Sequence, residues 1–105
     1  MNVIVTKEKE RTIAEIVGRV DTTTAPEFQK LVTDIMTDKP ARLILDCARL
    51  EYISSAGLRA LLIIAKNAKA AGINVNLCAL TDFVVDVLAT SGFDSFFEIK
   101  KDKNE

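Results

Sequence analysis

The hydrophobic pattern of this chain switches repeatedly between a period of about two residues and one of about 3.6, with short links at each switch, and few folds accept that order. Asn2 to Thr6 and Thr12 to Val17 are β-branched and alternating, and the charged Lys7-Glu8-Lys9-Glu10 between them reads as an exposed hairpin turn. The sheet is therefore expected to start antiparallel. Thr24-Ala25-Pro26-Glu27 has the form of a capping box with Pro in the first turn, and Phe28, Leu31, Val32 and Ile35 follow at helical spacing to about Thr37, ahead of Pro40. Leu43-Ile44-Leu45 is apolar at every position, as in a central strand covered by helices on both faces, and it ends in Asp46. A second helix, from near Leu58, puts Leu61, Leu62, Ala65 and Ala68 on one stripe and Arg59, Ile63, Lys66 and Asn67 on the far side, with Gly72 placed to end it. Ile73, Val75 and Leu77 alternate with Asn74 and Asn76 in the next strand. Thr81-Asp82 opens a third helix carrying Phe83, Val84, Val87 and Leu88, which Gly92 ends. Phe96 to Ile99 reads as a last short strand, and Lys100 to Glu105 as a charged, frayed tail.

The order β-β-α-β-α-β-α-β predicts an α/β fold: a mixed β-sheet, mostly parallel with an antiparallel N-terminal strand, and helices packed against it through right-handed crossovers. A length of 105 residues suffices for one domain, 1–105, with a two-layer core. With 14 basic and 15 acidic residues the formal net charge is -1, so the field needed to bind nucleic acid is missing and direct nucleic-acid contact is not expected. The apolar stretches are short and interrupted by charges, and Met1-Asn2-Val3-Ile4-Val5 lacks the basic flank and length of a signal peptide. We therefore expect a cytoplasmic protein without membrane insertion. Cys47 and Cys78, near strand ends, have no CxxC or Cys/His spacing and read as reduced structural thiols; the chain has no His. With no phosphate-binding Gly-Lys loop either, neither metal nor cofactor is expected. A nucleophilic Ser55 would have only Asp21 or Lys66 to activate it, and Lys66 lies three turns along the helix, so catalysis is not expected.

In open α/β sheets, function gathers beyond the carboxyl ends of strands. Asp21, after strand two, and Ser54-Ser55, after strand three, are expected to meet there. The connection Tyr52-Ile53-Ser54-Ser55-Ala56-Gly57-Leu58-Arg59 sets two hydroxyls at a helix N-terminus, where amides without intrahelical acceptors and the macrodipole both favour negative charge. Spacing alone favours plain N-capping, but one cap needs only one serine, and Gly57 admits close backbone approach. Asp21 opens an Asx-type turn with Thr22, Thr23 and Thr24 or contacts a partner. Asp46 reads as an acceptor for amides of the following loop. Ile63, a lone apolar residue beside Arg59 on the polar face, is a candidate anchor for a partner.

The segment Leu43 to Leu62, with its Asp-ended strand, its Tyr-Ile-Ser-Ser-Ala-Gly-Leu and the apolar helix behind it, resembles the STAS domain of bacterial anti-sigma factor antagonists. Gly18-Arg19-Val20-Asp21 is similar to that family's Gly-x-x-Asp segment, and Ala79-Leu80-Thr81 to Ser91-Gly92-Phe93 to its terminal helix and turn. The resemblance implies a phosphoprotein switch. An anti-sigma factor with serine kinase activity binds the unmodified protein and phosphorylates a serine at the start of helix two, which releases it, and a PP2C-type phosphatase reverses the step; transcription is regulated indirectly. By register the acceptor is Ser55. The family pattern Asp-Ser-Ser/Thr/Ala-Gly-Leu has an acidic residue where Ser54 stands here, and Ala56 follows the acceptor, which leaves Ser54 as a competing acceptor. Asp21 matches the family's acidic residue near that site and is carried over as part of the contact surface. By geometry, the partner surface is expected on Asp21, the connection Tyr52 to Gly57 with its Ser54, Ser55, Ala56 and Gly57, and Arg59 and Ile63, four residues apart on the outward side of helix two. Because the same domain type also serves as a non-enzymatic subunit of membrane transport complexes and signalling scaffolds, a constitutive subunit is the alternative role.

Overall fold

A computed structural model describes residues 1–92 and 97–101. Strands β1 (Asn2–Lys7) and β2 (Thr12–Val20) form the expected antiparallel hairpin, paired from Asn2↔Val17 to Lys7↔Thr12. Helix α1 (Ala25–Met36) leads to β3 (Arg42–Asp46), parallel to the first half of β2. A strand absent from the expected order follows, β4 (Leu50–Ile53). Helix α2 (Ser55–Ala71) and β5 (Asn74–Cys78) come next, then α3 (Asp82–Ser91) and β6 (Glu98–Lys100), with β5 parallel to both β3 and β6. The sheet runs β1-β2-β3-β5-β6, and β4 pairs with β2 beside this path. Of the expected last strand, Ile99 lies in β6, whereas Phe96 is outside the described residues, as is most of the expected frayed tail.

Strand β2 serves two partners in succession. Thr12 to Glu15 pair with β3, and Gly18 to Val20 pair with β4, with a register shift at Gly18/Arg19 where the partner jumps from Leu50 to Tyr52. Gly18 sits there at φ +101°, a backbone that side chains rarely adopt, and bulges of this kind bend a strand and re-aim its remaining residues. Between β3 and β4 the chain turns sharply: Asp46 Oδ1 accepts the Ala48 amide at 3.1 Å, the structural role expected of it, and the Leu50 amide donates to the Cys47 carbonyl at 3.1 Å.

All three helices contribute to one core on one face of the sheet. Phe28 and Val32 of α1, Leu61 and Ile64 of α2, and Val84 and Leu88 of α3 meet Ala14, Ile16, Leu43, Leu45, Val75 and Leu77. The expectation that β3 is covered by helices on both faces is thus corrected. Ile44 points the other way, into a small cluster with Ile13 and Cys78 that includes no helix residue. Beside it, Asn76 is wholly buried with its amide satisfied at both ends: Arg42 Nε donates to Asn76 Oδ1, and Asn76 Nδ2 donates to Glu98 Oε2 at 3.0 Å. A buried amide is tolerated when both its donor and acceptor sides are matched, and here the match ties β3, β5 and β6 together.

Both cysteines are buried thiols outside any disulfide. Burial, then the neighbouring Cys78 thiol and Asp46 carboxylate, pushes the Cys47 thiol far above the usual thiol range, so it carries no reactive thiolate near neutral pH. Among the described residues no helix is long and apolar enough to cross a membrane.

Candidate functional site

The site is built where β2 and β4 end side by side. Their parallel pairing, Arg19↔Tyr52 and Val20↔Ile53, is carried one step further by the Ser54 amide, which donates to the Val20 carbonyl at 2.9 Å. Asp21 and Ser54 therefore leave the sheet as neighbours, and each opens a helix. The serine pair follows β4 rather than β3, which corrects the expected connection and gives the reason the two segments meet.

At the first of these starts, the expected capping box does not form. Thr24 takes an α-region backbone and makes no side-chain cap to α1. Asp21 instead closes the turn that leads into the helix: its Oδ1 accepts the amides of Thr23 at 3.0 Å and Thr24 at 3.1 Å, in the Asx-type turn anticipated as one of its two roles. The Thr24 hydroxyl lies 3.2 Å from the same oxygen and 2.9 Å from the Arg19 carbonyl, and it accepts the Asp21 amide at 2.9 Å. The Thr24 amide is the largest influence holding the Asp21 carboxyl below its ordinary value; the Thr23 amide, the Thr24 hydroxyl and Arg19 act in the same direction, against a partial opposing effect of desolvation. The carboxylate is thus ionised and its direction set by its own loop.

The second start belongs to α2, which begins at Ser55, a turn earlier than the apolar stripe suggested. Ser54, in extended backbone (φ -91°, ψ 176°), is the N-cap: its hydroxyl accepts the Gly57 amide at 3.2 Å. Ser55 is exposed in the first turn, and its hydroxyl has no partner among the described residues. Gly57 explains how this turn sits so close to the strands. A Cβ placed there would lie 2.6 Å from Ile53 Cγ1 and 2.9 Å from both Val20 Cγ1 and the Val20 carbonyl oxygen, so only glycine lets the helix press against the ends of β2 and β4.

Further along α2, Arg59 is exposed one turn beyond Ser55. Ile63 is half-buried, not exposed as the helical wheel implied. The buried set of α2, namely Gly57, Leu58, Ala60, Leu61, Ile64 and Ala68, is centred nearer Ile64 than the expected stripe, because the helix packs against α1 as well as the sheet. Ile63 thus lies on the shoulder of a wide buried arc. Two residues that sequence reasoning did not place at the site, Arg19 and Phe83, flank its Tyr52. The Arg19 guanidinium lies 4.5 Å over the Tyr52 ring, and Tyr52 stacks on Phe83 of α3 with ring centroids 6.2 Å apart at 23°. The Arg19↔Tyr52 register that creates this stack exists only because β4 exists.

Comparison with known proteins places this arrangement. A protein of Bordetella bronchiseptica described as an anti-sigma factor antagonist, BtrV, is 36% identical over 87 residues, which cover 83% of this chain and 75% of that one. Among solved structures, one described as an anti-sigma factor antagonist from Thermotoga maritima matches with a TM-score of 0.89 at 19% identity, covering 97% of this chain and 88% of the other. The anti-sigma factor antagonist SpoIIAA in its unphosphorylated form matches with a TM-score of 0.70 at 16% identity, over 96% and 88% of the two chains. At such identities these two likenesses bear on the fold alone. The STAS domain family model matches residues 2–105, and the chain belongs to the STAS domain family.

Proposed function

We propose that this protein is an anti-sigma factor antagonist that works as a phosphorylation switch. Unmodified, it binds an anti-sigma factor with serine kinase activity through the surface around Asp21 and the start of α2; phosphorylation of Ser55 releases it, and a PP2C-type phosphatase restores it. The protein catalyses nothing itself and needs no cofactor, and ATP belongs to the kinase. The observation that carries this reading is the division of labour between the two serines. Ser54 has its hydroxyl committed to the Gly57 amide, and Ser55 presents an exposed one with no partner among the described residues. The 36% identity to BtrV supports the partner class.

The physical step is electrostatic. A phosphate adds about -1.5 to -2 charges at neutral pH, which a helix N-terminus tolerates but an interface closed over Ser55 does not. The Asp21 carboxylate, emerging beside Ser54, already places negative charge at the same end of the sheet, so phosphate deepens the local negative charge on modification. A difference in contact energy between the two states suffices for release, with no rearrangement of the fold. On Ser54 the same phosphate would replace the cap of α2, which makes Ser55 the acceptor that leaves the helix start intact.

The test is incubation with an anti-sigma factor kinase and ATP, followed by site-localising mass spectrometry and titration of both forms against that kinase. Phosphate on Ser55 and weakened binding are expected. Phosphate on Ser54 alone reverses the assignment, and neither binding nor phosphorylation favours the non-enzymatic subunit role.

A further inference from the structure

The two edges of the sheet are unlike. The β6 edge is three residues long and carries an ion pair between Lys100 and Glu98, which blunts it against pairing with another strand. The β1 edge is six residues long, with no charge before Lys7, no Pro, no Gly and no bulge against β2. Ile4 is 48% exposed and Val5 41%, and no strand of the described chain covers the outer side of β1. Beside it, on the helix face, Val3, Val5, Leu31 and Ile35 line an open apolar groove with Lys7 and Asp34 at its margin.

We propose that this chain forms a two-fold dimer through antiparallel pairing of β1 with β1 of a second copy, centred on Ile4. The strand is self-complementary in that register. Ile4 meets Ile4, Val3 meets Val5, and Asn2 meets Thr6, so apolar residues face apolar ones and polar face polar, as an isologous interface requires. A two-fold axis perpendicular to the sheet keeps the helix faces on one side, so both grooves meet beside the axis and each shields the other's Val3, Val5, Leu31 and Ile35. Charge follows the same symmetry. Val3 and Val5 lie level with Leu31 and Ile35, so the axis passes close to that turn of α1 and sets the exposed Lys30 of one copy toward the exposed Asp34 of the other; within one copy these residues already pair at 3.1 Å. This surface is separate from the Ser55 site and stands whether or not the switch is confirmed.

Sedimentation of the full chain from low micromolar to near-millimolar concentration tests the pairing, together with two variants. The wild type is expected to shift to twice the monomer mass, and Ile4→Lys, a surface change on the exposed side of β1, to remain monomeric at concentrations where the wild type is dimeric. Ile4→Cys is expected to form a covalent dimer on mild oxidation, because opposed residues in an antiparallel pair sit about 4.5–5.5 Å apart at Cα, within disulfide range, while Cys47 and Cys78 are buried. A wild type that stays monomeric throughout, or a dimer that survives Ile4→Lys while Ile4→Cys fails to cross-link, overturns the proposal.

Discussion

The starts of α1 and α2 follow two strands that end side by side, yet the two helices are opened by different chemistry. At α1, one carboxylate takes two amides, a threonine hydroxyl crosses back to it and to Arg19, and the residues between are drawn into a closed turn. At α2, a single hydroxyl takes a single amide and the next serine is left over. The first start uses its polar groups on itself. The second keeps one in reserve, and at a helix N-terminus a spare hydroxyl is a place where added negative charge is tolerated. On the proposed function, being satisfied or unsatisfied within its own loop is what separates a structural helix start from a modifiable one.

The largest test of this contrast is Gly57→Ala. In an exposed helix this change stabilises by about 1 kcal/mol, but here the new methyl meets the Val20 carbonyl and two packed side chains, and overpacking of this kind costs about 1–3 kcal/mol. We expect a net loss in urea denaturation together with weaker partner binding; an unchanged midpoint would mean that α2 is free to slide off the strand ends. Ser54→Ala should cost about 1 kcal/mol as a lost N-cap, and Ser54→Gly only a few tenths. Equal losses for the two would show that the hydroxyl does not act as the cap.

Asp21→Asn sharpens the other side of the comparison through pH. Because the folded carboxyl is held below its ordinary value of 3.8, its contribution to stability is present above that pH and is lost as pH falls toward the lowered folded value. The gap between wild type and Asp21→Asn in denaturant midpoint should therefore be open at neutral pH and close below about pH 4. A gap that is constant with pH would assign the effect to geometry rather than charge. The smallest stability effect is expected for Ser55→Ala, within about 0.5 kcal/mol of wild type as an exposed substitution, while it abolishes phosphorylation. A loss as large as that of Ser54→Ala would exchange the roles of the two serines.

Much of this was legible in local pattern. The hairpin, the three helices and the later strands follow from the spacing of Phe28, Leu61, Val75 or Leu88 and their neighbours, because amphipathic period and turn residues act over a few positions. So do the surplus serine, the close approach at Gly57 and the turn at Asp21. What local pattern misassigned has a common cause. Leu50 to Ile53 is a strand only by virtue of pairing with the far half of β2, and four residues carry too little alternation to announce it. The capping box at Thr24 read correctly as a helix start but not the role of its hydroxyl, which turns back to the Arg19 carbonyl and the Asp21 carboxylate instead of capping α1. Ile63 followed the wheel of an isolated helix, and packing against α1 widened the buried arc beneath it.

By itself, then, the sequence determined the N-terminal hairpin, the three helices and the later strands, and that two serines stand near the start of the second helix, because these depend on spacing within one or two turns of the chain. Only the tertiary structure decided that β2 divides its length between β3 and β4, that the helices share one face while Ile44 turns to the other, and that Asp21, Ser55, Arg19, Tyr52 and Phe83 gather at one end of the sheet. Those outcomes rest on partners far apart in sequence, and a strand's choice of neighbour is set by the packing of the whole sheet rather than by any residue within it.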